Sequence, residues 1–122
     1  MHALALHREV EPLLRRVGDR PWLAWVLNNQ GVFLAALGRP DDALVAYHEA
    51  VRLLLATDNH AEAANALTNC AEVHLDQGRT VEAQDALAQA RALLQALPDP
   101  PPWIVQWYQS QVARVKDETG LG

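Results

Sequence analysis

The sequence predicts an all-α chain, an α-α superhelix of about six antiparallel helices stacked pair upon pair. Three observations carry this. Small residues return at one interval: Gly38 and Gly78, Ala43 and Ala83, Ala50 and Ala90, and Gly31 and Ala71 are each 40 positions apart. The strings around the two glycines agree, Leu37-Gly38-Arg39-Pro40-Asp41-Asp42-Ala43 against Gln77-Gly78-Arg79-Thr80-Val81-Glu82-Ala83. Between these markers, apolar residues fall at the 3-to-4 spacing of a helix face. Self-similarity at a fixed period marks a repeat array, in which each unit buries its apolar face only against its neighbours.

Taken in order, the first segment is a helix over 2–17 with Leu4, Val10, Leu13, Leu14 and Val17 on one face and Pro12 inside it. Proline there removes a backbone hydrogen bond, so the helix kinks or begins close to Pro12. Residues 22–37 carry Leu23, Val26, Leu27, Phe33, Leu34 and Leu37 at helical spacing, and Gly38 stops them. Pro40 suits the first turn of the next helix, where Asp41 and Asp42 complement its dipole. Ala43, Leu44, Tyr47, Ala50, Val51, Leu54 and Leu55 form its stripe. Asp58 and Asn59 serve as turn and cap for a helix over 60–77, which Gly78 ends. Thr80 is read as the N-cap of the helix bearing Ala83, Leu87, Ala90, Leu93 and Leu94. Pro98, Pro100, Pro101 and Pro102 make a stiff break before a last helix from Trp103 to Lys116, with Glu118 to Gly122 a frayed tail. The single domain thus divides into a half repeat (1–17), repeats over 21–57 and 60–97, and a half repeat over 101–117.

The small residues have a physical reason. Two antiparallel helices joined by a tight turn approach closely, and Gly31 and Ala71 on the first helix of each pair, with Ala43 and Ala83 on the second, permit it. Bulk at such a contact costs about 1–3 kcal/mol.

The series Gly31, Gly38, Ala43, Tyr47, Ala50 resembles the tetratricopeptide repeat, and Ala71, Gly78, Ala83, Leu87, Ala90 is similar though weaker. The resemblance covers nearly the whole chain. It departs in its period of 40, against roughly 34 in the usual repeat, in the absence of a closing proline after Leu55, and in Cys70 and His74, which stand where larger apolar residues are typical. The longer period is similar to the repeats of kinesin light chains and of large bacterial regulators and signalling ATPases.

That resemblance implies a protein-protein interaction module, with a concave wall built by the first helix of each pair. On this wall the sequence places Trp25, Asn28, Asn29, Val32 and Ala36, then Asn65, Thr68, Asn69, Glu72 and Asp76, then Val105, Tyr108, Gln109 and Val112. Asn29 and Asn69 are again 40 apart. In kinesin light chains, asparagines at matching places bind the backbone of an extended peptide, and the resemblance implies that role here, with Asn28 and Asn65 as neighbours. An amide carries both donors and an acceptor, as pairing with a peptide group requires. Neither complete unit puts a basic residue on this face, which disfavours clamping of a C-terminal carboxylate and favours a neutral, apolar or mildly basic peptide. Trp22, Trp25, Trp103 and Trp107 read first as inter-helix packing, with Trp25 and Tyr108 as interface anchors in the sharper reading.

Composition bounds the rest. The net charge of −5 is the reverse of the basic face that sequence-independent nucleic-acid binding needs. No apolar run is long enough to span a bilayer, and Met1 to Val10 lacks the features of a signal peptide, so a cytoplasmic protein is expected. One cysteine, Cys70, offers no internal disulfide. Cys70 and His74 are four apart on one helix face, yet no third or fourth metal ligand joins them. No phosphate loop or nucleophile motif is present, and Glu72 with Asp76 reads as solvated charge. The expectation is a non-enzyme with no cofactor, no metal and no catalytic residue. Two rivals stand beside the peptide-binding module. One is a scaffold segment that forms homo-oligomers through its complementary terminal half repeats. The other is a sensor module of a transcriptional regulator that takes a small ligand or peptide.

Overall fold

The computed structural model describes residues 20–120. The helix expected over 2–17, its kink at Pro12 and the first half repeat lie outside the described residues. Those described form five helices and no strand: α1 (Arg20–Ala36), α2 (Pro40–Ala56), α3 (His60–Asp76), α4 (Thr80–Ala96) and α5 (Pro102–Thr119). The first four are each 17 residues long. α1 packs on α2, α2 on α3 and α3 on α4, while α5 lies against both α3 and α4. This is an open stack of antiparallel helix pairs.

The links between these helices explain the period. Residues 37–39, 57–59 and 77–79 each close a helix with the same pair of backbone bonds. Arg39 N–H donates to Leu34 O at 2.9 Å and Gly38 N–H to Ala35 O at 3.1 Å. Asn59 and Asp58 repeat the pattern onto Leu54 and Leu55, and Arg79 and Gly78 onto His74 and Leu75. This stop needs a left-handed residue at its centre. Gly38 (φ 74°) and Gly78 (φ 72°) supply it without steric cost. Asp58 does so at φ 58°, in a conformation aspartate tolerates better than most residues.

Because each stop uses three residues, the last of them is already the N-cap of the next helix. The expectation for Thr80 is corrected on that ground: Arg79 is the N-cap and Thr80 the first helical residue. Asn59 does occupy an N-cap, yet it makes no side-chain cap bond. Its amide N–H instead donates backward to Thr57 Oγ1 at 2.7 Å and Thr57 O at 3.2 Å.

The proline break behaves as its chemistry dictates. Leu97, ahead of Pro98, is extended at ψ 135°, as a residue before proline prefers. α5 opens with Pro102 in its first turn. The helix runs beyond Lys116 to Thr119, so the expected fraying from Glu118 is corrected. Arg114 reaches Glu118 one turn on at 3.9 Å, the Thr119 hydroxyl donates to Val115 O at 2.8 Å, and Gly120 closes the helix at φ 71°.

α3 is the wedge at the centre of the stack. Ala63, Ala64, Ala66 and Ala71 are all fully buried, and their short side chains let α2, α4 and α5 close on α3 from different sides. One apolar cluster gathers Leu34, Tyr47, Leu87 and Val115 at the end of the pairs bearing the first and third links. The other gathers Leu23, Leu27, Leu54, Leu67, Leu94 and Ile104 at the opposite end.

Candidate functional site

The first helices of successive pairs, α1, α3 and α5, form one wall, and a line of side-chain hydrogen bonds runs across it. Asn69 on α3 donates through Nδ2 to Asn28 Oδ1 on α1 at 3.0 Å, and Trp107 on α5 donates through Nε1 to Asn69 Oδ1 at 2.8 Å. Asn69 is therefore buried and bonded on both sides. It ties three helices together, and its partner on α1 is Asn28 rather than Asn29, which is half-buried beside it. Thr68 must be removed from the expected groove face. It is fully buried, and its hydroxyl donates to Ala64 O at 2.8 Å within its own helix.

On one side of this line lies a cleft of about 420 Å³. Trp25 and Asn28 from α1, Asn59 from the second link, Glu62 and Asn65 from α3, and Trp103 from α5 line it. Trp25 and Trp103 are 55% and 59% exposed. Trp22 braces Trp25 edge-on, with ring centroids 5.7 Å apart and planes at 78°. Val32, one turn beyond Asn28, is exposed on α1.

On the other side the wall is charged. Arg114 on α5 pairs with Asp76 on α3 at 2.9 Å. The half-buried Glu72 has its carboxyl raised from its ordinary value, first by burial and then by Asp76, with Arg114 opposing. The sign follows from proton counting: the folded chain binds more protons than the unfolded one between the two values, so stability falls as pH rises through that window. Glu72→Gln is accordingly expected to be more stable than the parent at pH 7, with the gain shrinking as pH falls and gone below the ordinary carboxylate value. Urea midpoints at pH 7 and near pH 4 check this, and an equal gain at both would contradict it.

The structure turns α5 differently from the expectation. Ile104, Gln111 and Val115 are its buried stripe. Trp103, Trp107 and Arg114, on one flank of that stripe, reach the wall. Tyr108 lies on the other flank with Val112, and together with Leu87, Arg91 and Lys116 they line a separate groove of about 580 Å³ between α4 and α5. Gln109 is exposed, about 200° around the helix from Trp107. Tyr108 and Gln109 thus do not join Asn65 and Asn69. The pairs that face across α3 and α5 are Asn69 with Trp107 and Asp76 with Arg114, each 38 apart. Trp103, Trp107, Arg114, Glu62 and Asn59 were the residues missed. The spacing of Trp103, Trp107 and Arg114 at successive turns of one helix was the available signal.

Cys70 is buried, and burial pushes its thiol up to about 12, which keeps it protonated and inert as a nucleophile. His74 is held below its ordinary value, by burial first and then by Arg79. No cluster of three or more His, Cys, Asp or Glu side chains able to hold a metal occurs among the described residues. No helix among them is long and apolar enough to cross a membrane.

Residues 22–96 match the tetratricopeptide repeat family. A curated relative, the regulatory protein AfsR of Streptomyces coelicolor, is 33% identical over 75 residues, which is 62% of this chain. The aligned segment is 8% of that protein's length.

Proposed function

The chain belongs to the tetratricopeptide repeat family, a family of non-catalytic repeat modules that typically bind proteins or peptides, and from that premise we propose that it binds an extended peptide along the wall of α1, α3 and α5. The observation that carries this reading is the cleft beside the Asn28–Asn69–Trp107 line. It sets two exposed tryptophans and several amides together along the wall of first helices. Amides pair with peptide groups and indoles take side chains, so one surface offers both affinity and selection. The similarity to a regulatory protein supports a place for the module in a bacterial regulator, where it holds a partner rather than performs a reaction.

Asn29 and Asn65 make the decisive variants, because neither belongs to the bonded line across the wall. Peptides selected on the intact chain by phage display are expected to lose binding about thirtyfold with Asn29→Ala and Asn65→Ala combined, at unchanged helicity, each amide contributing on the order of 1 kcal/mol. Unaltered affinity would refute the groove. A second reading draws on the apolar groove between α4 and α5, lined by Leu87, Tyr108, Val112 and Val115. A helix from a further repeat, or from a second copy through the terminal half repeats, fits there. Light scattering on the same samples separates the two, since a monomer that still binds peptide leaves the second-copy reading without support.

A further inference from the structure

We propose that the groove between α4 and α5 docks an amphipathic helix of a partner protein, one whose apolar stripe is flanked by carboxylates that meet Arg91 and Lys116. This site is separate from the peptide wall and does not rest on it. It narrows the helix-docking reading above to one kind of helix.

The shape of the groove sets the class of ligand. On α4 the lining runs from Gln84 through Leu87, Ala88 and Arg91 to Gln95. On α5 it runs from Tyr108 through Val112 and Val115 to Thr119. Each stripe extends over about three helical turns, roughly 16 Å at 1.5 Å per residue. A trough of that length, with a volume of about 580 Å³, exceeds what one side chain fills. It suits a short helix laid along α4 and α5, the mode in which an apolar face enters a groove through successive turns. Ala88 and Ala92 are exposed on the α4 side, and their short side chains leave room for a helix to approach.

The residues along the groove set the chemistry. Forty positions earlier, α2 carries Leu44, Val51 and Leu55. Leu44 and Val51 are buried in the two apolar clusters. At the matching places α4 carries Gln84, Arg91 and Gln95. The face that is apolar on α2 is thus polar and cationic on α4, while Leu87 keeps its centre apolar. An apolar helix laid there would cover Arg91 without a counter-charge, and a charge taken from water without a partner is costly. Lys116 meets the same groove from α5. Among the described residues, neither Arg91 nor Lys116 has a carboxylate within ion-pair distance. An incoming helix with carboxylates on its flanks satisfies both cations, and its stripe covers Leu87, Val112 and Val115. The chain's net charge of −5 opposes an acidic partner at a distance, so these two contacts select locally, within about a Debye length.

The test uses the intact chain and a synthetic helical peptide of about four turns, with leucines along one face and glutamate, glutamine or lysine at the flanking positions. Fluorescence anisotropy reads the affinity. The glutamate peptide is expected to bind at least about tenfold more tightly than the lysine peptide, with glutamine between, because two ion pairs of up to about 1 kcal/mol each separate them. Arg91→Glu combined with Lys116→Glu is expected to reverse that order. Ala88→Trp, which fills the trough, is expected to remove binding of the glutamate peptide. All three residues are exposed, so these variants leave the stack intact, and circular dichroism checks it. In methyl spectra Val112 and Val115 are expected to shift, while the indole signal of Trp107 on the wall stays in place. Equal affinity for the glutamate and lysine peptides, an order that survives the double reversal, full binding by Ala88→Trp, or shifts confined to the wall would each overturn the proposal. So would a dimer of the chain that Ala88→Trp dissolves, since a second copy would then be the occupant. The peptide wall fails or stands separately, because Asn29→Ala combined with Asn65→Ala is expected to leave binding of the glutamate peptide unchanged.

Discussion

Gly31→Ala is expected to destabilise the chain by about 1–2 kcal/mol, although alanine is the better helix former. Gly31 lies inside α1, where replacing glycine with alanine usually gains about 1 kcal/mol. Here a Cβ would fall 2.6 Å from Cδ1 and 2.8 Å from Cζ of Tyr47. Tyr47 is only 2% exposed and sits in the core cluster with Leu34 and Leu87, so its ring has nowhere to swing. Overpacking of this kind costs about 1–3 kcal/mol and outweighs the propensity. The second pair shows the alternative solution, since it carries Ala71 and Leu87 at the positions of Gly31 and Tyr47, 40 residues on. Tyr47→Leu alone removes ring volume and leaves a cavity. Combined with Gly31→Ala it reproduces the second pair's packing, and the double variant should recover at least about 1 kcal/mol relative to the sum of the singles. Urea midpoints for the four chains of this cycle check it. Strict additivity would mean that the ring and the missing side chain do not meet.

That same contact shows which features the sequence could disclose. Gly31, Gly38, Gly78, Ala43 and Ala83 each record a backbone requirement, either a close approach or a positive φ, and such requirements restrict residue type severely. The helices and their pairing were legible for this reason, and among the described residues Asp58 was the one left-handed stop without a glycine to announce it. The wall was less legible. Thr68 was placed on it because helical spacing alone does not say how wide the buried face of α3 is, and a helix packed against four others is buried over most of its circumference. Tyr108 and Gln109 were placed on it because helical spacing alone does not say which flank of the last helix meets α3, and that helix follows a longer link, residues 97–101. Trp107 was read as packing, and it does pack, but its indole N–H carries the hydrogen bond that joins the last helix to the line across the wall.

Asn69→Leu should expose how much that line contributes. Leucine shares the branched four-atom outline of asparagine, though its methyl groups are bulkier, so the change removes polarity and adds some overpacking. Two bonds disappear together, the one to Asn28 Oδ1 at 3.0 Å and the one from Trp107 Nε1 at 2.8 Å. A neutral hydrogen bond contributes on the order of 1 kcal/mol, and a partner left unsatisfied costs about 1–3 kcal/mol. Asn28 and Trp107 are half-buried, so water reaches each in part and keeps the penalty near the lower figure. The expected loss is about 2–3 kcal/mol. Thr68→Val is the matched control on the same helix. Its hydroxyl bonds only the Ala64 carbonyl of its own helix, so its loss should stay below about 1 kcal/mol. Trp107→Phe removes one bond without touching the other, and its coupling to Asn69→Leu should be about 1 kcal/mol. If Asn69→Leu proved no worse than Thr68→Val, α1, α3 and α5 would be held in line by apolar contact alone, and the amides along the wall would be free to turn toward a ligand.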